Sequence, residues 1–179
     1  MKAKLKELIQ SDARRGYVKC GLGKSLQHKY ITTWRKASHY KKTNPLGILY
    51  RLRLNSLSVK SGIQIPTETK IGKGFFIAHF GSIIINPAVV IGDNVNIAPG
   101  VVIGKANRGE KKGVPIIGNK VWIGANSIIV GKISIGDDVL IAPGAYVNID
   151  VPEHSVVIGN PGIIHHKEMA TDGYINNQV

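Results

Sequence analysis

Six histidines and one cysteine supply the nucleophilic and metal-ligating chemistry available near neutral pH in this 179-residue chain. The single Cys20 excludes a disulfide scaffold and any cysteine-based metal site made by one chain. His28, His39, His165 and His166 lie toward the chain ends, and His154 follows the regular part of the sequence. None of them forms a spaced pair with His79, so no metal site is expected. His79 stands alone among Phe75, Phe76, Ile77 and Phe80. An imidazole in that setting is either a structural histidine at a chain corner or a group that moves protons, since its pKa of about 6.5 lies close to neutrality.

A period of six, beginning at Ile71, positions this residue. Ile85, Ile91, Ile97 and Ile103 follow it, as do Ile117, Ile123, Ile129, Ile135, Ile141 and Val147, and all ten are Ile or Val. Four residues after each anchor come Val89, Val95, Val101, Val121, Ser127, Ile133, Val139 and Ala145. A helix would repeat near 3.6 and an ordinary strand near 2. A period of six predicts a short strand plus a corner, with one apolar residue turned inward on each flat side. Three sides close a triangular coil, and coils stack at roughly 4.8 Å. Gly, Asn and Asp at Asp93-Asn94, Gly118-Asn119 and Asp137-Asp138 suit sharp corners or positive φ. The expected fold is an all-β main domain, the hexapeptide repeat of a parallel β-helix. Residues 71–147, less one loop, make nearly four coils, a prism under roughly 20 Å tall. So short a prism leaves flat sides to be covered by self-association.

The period lapses twice. Ile77 and Ile85 are eight residues apart, and this insert carries His79 on a bulge-like step that could aim it outward. Ile103 and Ile117 are fourteen apart, and residues 104–116, with Lys105, Arg108, Lys111 and Lys112, read as a loop leaving the prism. Ile85 and Ile103 should stack, which places the loop about one coil from His79.

The net charge is +13. Residues 1–60 hold fifteen Lys/Arg against Glu7 and Asp12, whereas residues 61–179 hold nine of each sign. The chain divides into a basic, partly helical region (1–60), the β-helix (61–164) and a tail (165–179). Helix is predicted over Met1–Arg15, broken by Gly16, Gly21 and Gly23, and over Pro45–Ser58. The basic region reads as helices with a solvated basic face, or as a surface for an anionic membrane or acidic glycan. Nucleic acid has no motif behind it and is not expected. Gly74–Gly92 is free of formal charge, but His79, Ser82, Asn86 and Pro87 make it a buried soluble element rather than a membrane span. Met1–Gln10 lacks the apolar run of a signal peptide, so a cytoplasmic protein is expected, with peripheral contact at the inner membrane face.

Ile71-Gly-Lys-Gly-Phe-Phe-Ile-Ala-His79, followed by Gly81-Ser-Ile-Ile-Ile, resembles the catalytic segment of serine acetyltransferase-like hexapeptide enzymes. Val121-Trp-Ile-Gly-Ala-Asn126 resembles the stretch after their long loop, and Val151 to Pro161 their closing motif. The match spans about Ile71 to Ile164. The resemblance implies a left-handed β-helix, a homotrimer and O-acetyl transfer from acetyl-CoA with His79 as general base. An alcohol is a poor nucleophile at neutral pH, and a positioned imidazole can take its proton as it attacks the thioester. Backbone N–H groups at coil corners could hold the developing oxyanion. The resemblance places CoA against Gly104, Ala125 and Pro143; the neutral hydrogen-bonding groups around His79, Ser82 and Asn86, are the candidate acceptor contacts.

The sequence departs from serine acetyltransferases at Ala78, where they place Asp, at Pro87, where they place a further acid, near Gln64, the counterpart of the Asp that partners the histidine, and near Val114, the counterpart of a loop histidine. It looks closer to capsule and colanic-acid acetyltransferases, which share the isoleucine-rich stretch and Asn86. The leading expectation is therefore acetylation of a sugar hydroxyl on a glycan or glycosyl carrier in surface-polysaccharide synthesis. Serine O-acetylation is the alternative, and a non-catalytic hexapeptide scaffold the third reading.

Overall fold

The computed structural model describes residues 2–16, 19–20 and 23–179. Helices α1 (Lys2–Arg14), α2 (Leu26–His39) and α3 (Pro45–Ser61) come first, with a short antiparallel pair, β1 (Lys19–Cys20) and β2 (Gly23–Lys24), between α1 and α2. Gly16 follows α1 at φ +99°, and Gly21 lies outside the described residues. Helix α2 is an addition to the sequence expectation. Its signals are an N-cap and an apolar stripe: the Ser25 hydroxyl accepts the His28 N–H at 3.3 Å, and Tyr30, Ile31, Trp34 and Ala37 are buried. Helix α3 starts at Pro45 behind Asn44, whose side chain accepts the Leu46 N–H at 2.9 Å. It ends at Gly62, whose φ of +74° lets its N–H reach the Ser58 carbonyl.

The rest of the chain winds a β-helix with three faces. The first face stacks β3 (Ile63–Gln64), β6 (Ile83–Ile85), β9 (Val102–Gly104), β12 (Ile128–Val130) and β15 (Tyr146–Val147). The second stacks β4 (Lys70–Ile71), β7 (Val90–Ile91), β10 (Ile116–Ile117) and β13 (Ser134–Ile135). The third stacks β5 (Phe76–Ile77), β8 (Asn96–Ile97), β11 (Trp122–Ile123), β14 (Val139–Ile141) and β16 (Ser155–Ile158), with β17 (Ile163–His166) antiparallel at its edge. The register is parallel and in phase: Ile85 pairs with Ile103, Ile117 with Ile135, and Ile123 with Ile141.

The ten anchors of the period are all 2% exposed or less. Each side nevertheless buries two residues rather than the one expected. Val89, Val95, Val101, Val121, Ser127, Ile133, Val139 and Ala145 are also 3% exposed or less. Strands of two or three residues are so short that the corner residue before each one turns inward as well. Ser127 is tolerated there because its hydroxyl donates to the Gly124 carbonyl at 2.7 Å.

Five strands on the first face make about five coils, where the sequence predicts nearly four. The additional turn comes from both ends. Ile63 pairs with Ile83 below the first regular anchor, and Val151 bridges Ile135 while β16 caps β14. A side-chain ladder holds the corner between the second and third faces. Asp93, Asn119 and Asp137 accept the backbone N–H of Lys73, Asp93 and Asn119 respectively, at 2.7–2.9 Å. Positive φ falls one residue later, at Asn94, Lys120 and Asp138.

The helices are bolted to the first coils through a buried ion pair. Arg35 Nε lies 2.8 Å from Asp12 Oδ2, with 4% and 2% of the side chains exposed. The Arg35 guanidinium also donates to the Ile71 carbonyl, and Asp12 accepts the Phe75 N–H at 2.9 Å. Burial pushes the Asp12 carboxyl up, while Arg35 and the neighbouring N–H groups oppose it.

The last residues return along the third face. Tyr174 packs its ring 4.9 Å from Trp122, and Asn94 exchanges two hydrogen bonds with the Val179 backbone. Asp138 accepts the N–H groups of Ala170 and Thr171 and the Thr171 hydroxyl, and it pairs with His154 at 2.9 Å. The third face is thus covered. The first carries an apolar outer row of Ile84, Val102, Ile128 and Tyr146, with Ile84 and Ile128 about two-fifths exposed.

Candidate active site

Six residues lie between Ile77 and Ile84, while four lie between their pairing partners Ile97 and Val102, so the corner at 78–82 carries two extra residues. His79, Phe80 and Ser82 are exposed on it. Three elements brace this step. Gln27 of α2 donates its amide to the Ala78 carbonyl at 3.0 Å. The Gly81 N–H reaches the Ser61 carbonyl at the end of α3, at 2.9 Å. The Ser82 carbonyl accepts the Gly100 N–H from the next coil. Gly81 has φ +148°, a region side chains avoid, and Pro99 lies directly against it. Gln27 escapes the sequence reading because α2 does; Gly81 and Pro99 carry no signal until the register is known.

The corner above the His79 step stacks into an edge of the prism. Asn126 N–H donates to the Pro99 carbonyl, and Gly144 N–H to the Ala125 carbonyl, at 2.9 and 2.8 Å. Ala125 and Pro143 therefore share the edge with His79 and Ser82. The corner N–H groups of Gly100, Asn126 and Gly144 are already spent on these inter-coil bonds, which removes them as the oxyanion donors expected there.

Asn86 and Gly104 sit elsewhere. Asn86 follows β6 and Gly104 ends β9, on the opposite edge of the first face, and the Asn86 N–H donates to the Ile103 carbonyl. The Asn86 side chain accepts the Ala88 N–H at 3.0 Å, so its oxygen serves a local turn. The loop after Gly104 closes on itself and rests on the next coil: Ala106 bridges Gly113, and the Lys111 carbonyl accepts the Lys132 N–H. Lys111 pairs with Asp150 at 3.3 Å, while Lys105, Arg108 and Lys112 are exposed. The loop lies one coil above β6, as expected, but across the width of the first face from His79.

No carboxylate among the described residues forms an ion pair or hydrogen bond with residues 78–87. Asp12 is committed to Arg35, Glu68 to Lys42 and Asp150 to Lys111. Gln64 sits on β3 below Ile84, and Val114 packs against the core. The larger concavities lie at the helices, one of about 340 Å³ lined by Asn55, Ser58, Val59, Gln64, Ile65 and Pro66. The described residues contain no group of three His, Cys, Asp or Glu able to hold a metal ion.

Residues 115–148 match the family described as bacterial transferase hexapeptide (six repeats). The chain winds a β-helix on a six-residue repeat and is similar to serine acetyltransferases. A serine acetyltransferase of Helicobacter pylori is 39% identical over 100 residues, covering 56% of this chain and 58% of its own length. One of Synechococcus elongatus is 29% identical over 145 residues, covering 80% and 59%. The chain thus spans somewhat over half the length of these curated relatives. Among solved structures, the Neisseria gonorrhoeae serine acetyltransferase in complex with serine superposes with a TM-score of 0.76 at 26% identity, covering 91% of this chain and 69% of that one. A serine acetyltransferase in complex with CoA gives 0.68 at 28%, covering 79% and 57%. These names correct one expectation: they support the serine acetyltransferase-like resemblance and not the closer likeness to capsule and colanic-acid enzymes.

Proposed function

We propose that this protein transfers an acetyl group from acetyl-CoA to a hydroxyl, with His79 as general base. The observation that carries the reading is the exposed His79 on a braced two-residue expansion, on the same edge as Ala125 and Pro143. The imidazole takes the hydroxyl proton as the oxygen attacks the thioester carbonyl. Collapse of the tetrahedral adduct breaks the C–S bond, and the imidazolium returns the proton to the departing CoA sulfur. Acetyl-CoA would lie along Ala125 and Pro143. Its phosphates would meet Lys105, Arg108 and Lys112 beside Gly104 of a neighbouring copy, packed through the apolar row of the first face in a homotrimer. That packing joins the two edges that one chain keeps apart.

The relatives' names support serine as the acceptor. A sugar hydroxyl is the second reading, and one observation favours it: among the described residues no carboxylate pairs with residues 78–87, and a serine ammonium left without one would be costly to desolvate. Ser82 remains the acceptor contact on the His79 edge. Residues 1–60 are the proposed contact with an anionic partner. Following CoA thiol release with L-serine against a panel of sugars and glycosyl carriers decides the acceptor. Turnover with serine at a kcat/KM near about 10⁴ M⁻¹s⁻¹ establishes the first reading. Turnover confined to the sugars establishes the second, and release with neither removes the catalytic reading.

A further inference from the structure

Between Asp12 and Glu68 the chain carries twelve Lys and Arg residues and no acid. Helix α3 lies in this stretch and is apolar on two sides. Leu54 is buried toward the β-helix, while Leu46, Ile48, Leu49, Leu52 and Val59 are 46–81% exposed. At about 3.6 residues per turn, Ile48, Leu52 and Val59 form one outward stripe, and Arg53 and Lys60 border it beyond Leu49. Past that border lies a groove of about 190 Å³ between α2 and α3, lined by Lys29, Lys36, Arg53, Tyr50 and Thr32 among others. The Lys36 ammonium stands 5.2 Å from the Tyr50 ring centre. None of Lys29, Lys36, Arg53 and Lys60 takes part in the ion pairs of the described residues.

We propose that α3 docks this protein on an anionic phospholipid surface. The helix lies in the plane of the interface, with Ile48, Leu52 and Val59 among the upper acyl chains. Lipid phosphate sits at the groove of Lys29, Lys36 and Arg53. Charge selects this occupant over the others. A second copy would bring the same acid-free, cationic surface face to face and be repelled. An acidic glycan would satisfy the cations but leave the apolar stripe in water. An anionic bilayer satisfies both at once, and each basic residue near such a surface strengthens partition by about fivefold. The inference draws on the basic region alone and not on acetyl transfer at His79.

The test is co-sedimentation of the full chain with vesicles of phosphatidylcholine alone or mixed with phosphatidylserine. Binding to the mixed vesicles only, weakening as salt is raised, is the expected result. Arg53→Gln with Lys60→Gln should cut binding by about fivefold per residue. Ile48→Asn with Leu52→Asn, both at exposed positions, should cut it while leaving the circular dichroism and the oligomeric mass unchanged. His79→Ala should bind like the parent chain, which separates failure here from failure of the catalytic reading. Absent or equal binding to both vesicles, or loss of an oligomer in the Ile48/Leu52 variant, would overturn the proposal, the last by showing that a second copy covers the stripe.

Discussion

Gly81 and Pro99 touch across consecutive coils: a Cβ added at Gly81 would lie 3.0 Å from the Pro99 Cβ. The two extra residues that carry His79 are thereby pressed down on the next turn of the prism. A glycine is required twice over, by that contact and by φ +148°.

Gly81→Ala should therefore destabilise the fold by about 1–3 kcal/mol, the cost of a residue held in a forbidden backbone region. Because the strain falls two residues from His79, the variant should lose turnover more than it loses acetyl-CoA affinity. Thermal unfolding and steady-state kinetics read the two effects. Parent-like stability together with parent-like kcat would show that the step is not held by this contact.

Arg35→Ala leaves the Asp12 carboxylate buried without its cation. The expected loss is about 3–5 kcal/mol near neutral pH. The pH dependence has a definite sign. Burial already raises the Asp12 pKa above its ordinary value of 3.8, and removing Arg35 raises it further. A carboxyl raised in the folded state favours folding at low pH and loses that contribution as pH rises through its folded value. The deficit of the variant should shrink as the pH is lowered toward 4, measured by denaturant unfolding across that range. A deficit that grows on acidification would contradict the buried pair.

The C-terminal segment should be held over a limited pH window. Burial alone would raise the Asp138 carboxyl, but hydrogen bonds from Thr171, His154 and Ala170 outweigh it and hold the pKa below 3.8. The hydrogen bond to Asp138 pulls the His154 pKa above 6.5. A lowered carboxylate contributes stability that is lost as pH falls through its folded value, and a raised imidazole contributes stability lost as pH rises through its own. Protection of the Ala170 and Thr171 amides against hydrogen exchange, relative to the intrinsic rate at each pH, should therefore be greatest between about pH 4 and 6.5 and weaker on either side. His154→Ala should abolish the alkaline fall in protection and leave the acid one. Flat protection across the range would show that the segment is held by Tyr174 and Val179 alone.

Much of the scaffold was legible because a β-helix writes its core into the chain at a fixed interval. Ile85 to Ile103 and Ile117 to Val147 are regular since each side of a coil repeats the same two inward positions. The end coils were not legible, because Ile63 and Val157 sit next to corners of irregular length and fall out of phase. Helix α2 was hidden by its cationic content, although Ser25 and the Tyr30–Trp34 stripe marked it. Of the candidate site, His79 stood out because an interruption of the period is visible in one dimension. Which edge each corner joins is not. Asn86 and Gly104 lie nearer to His79 in sequence than Ala125 and Pro143 do, yet stacking puts the latter pair on the His79 edge and the former pair on the other. The braces Gln27 and Pro99 contact the step only once the chain is folded.

The role proposed for His79 is to move the proton in acetyl transfer. The most direct measurement is CoA thiol release by His79→Ala with acetyl-CoA and the acceptor the parent protein uses, alongside circular dichroism and mass in solution. The fold should be unchanged, as should the assembly, expected near 58 kDa as three chains of 19.4 kDa, with kcat lowered by at least about a hundredfold. Turnover within a few-fold of the parent in that folded variant would contradict it and return His79 to the role of a corner residue.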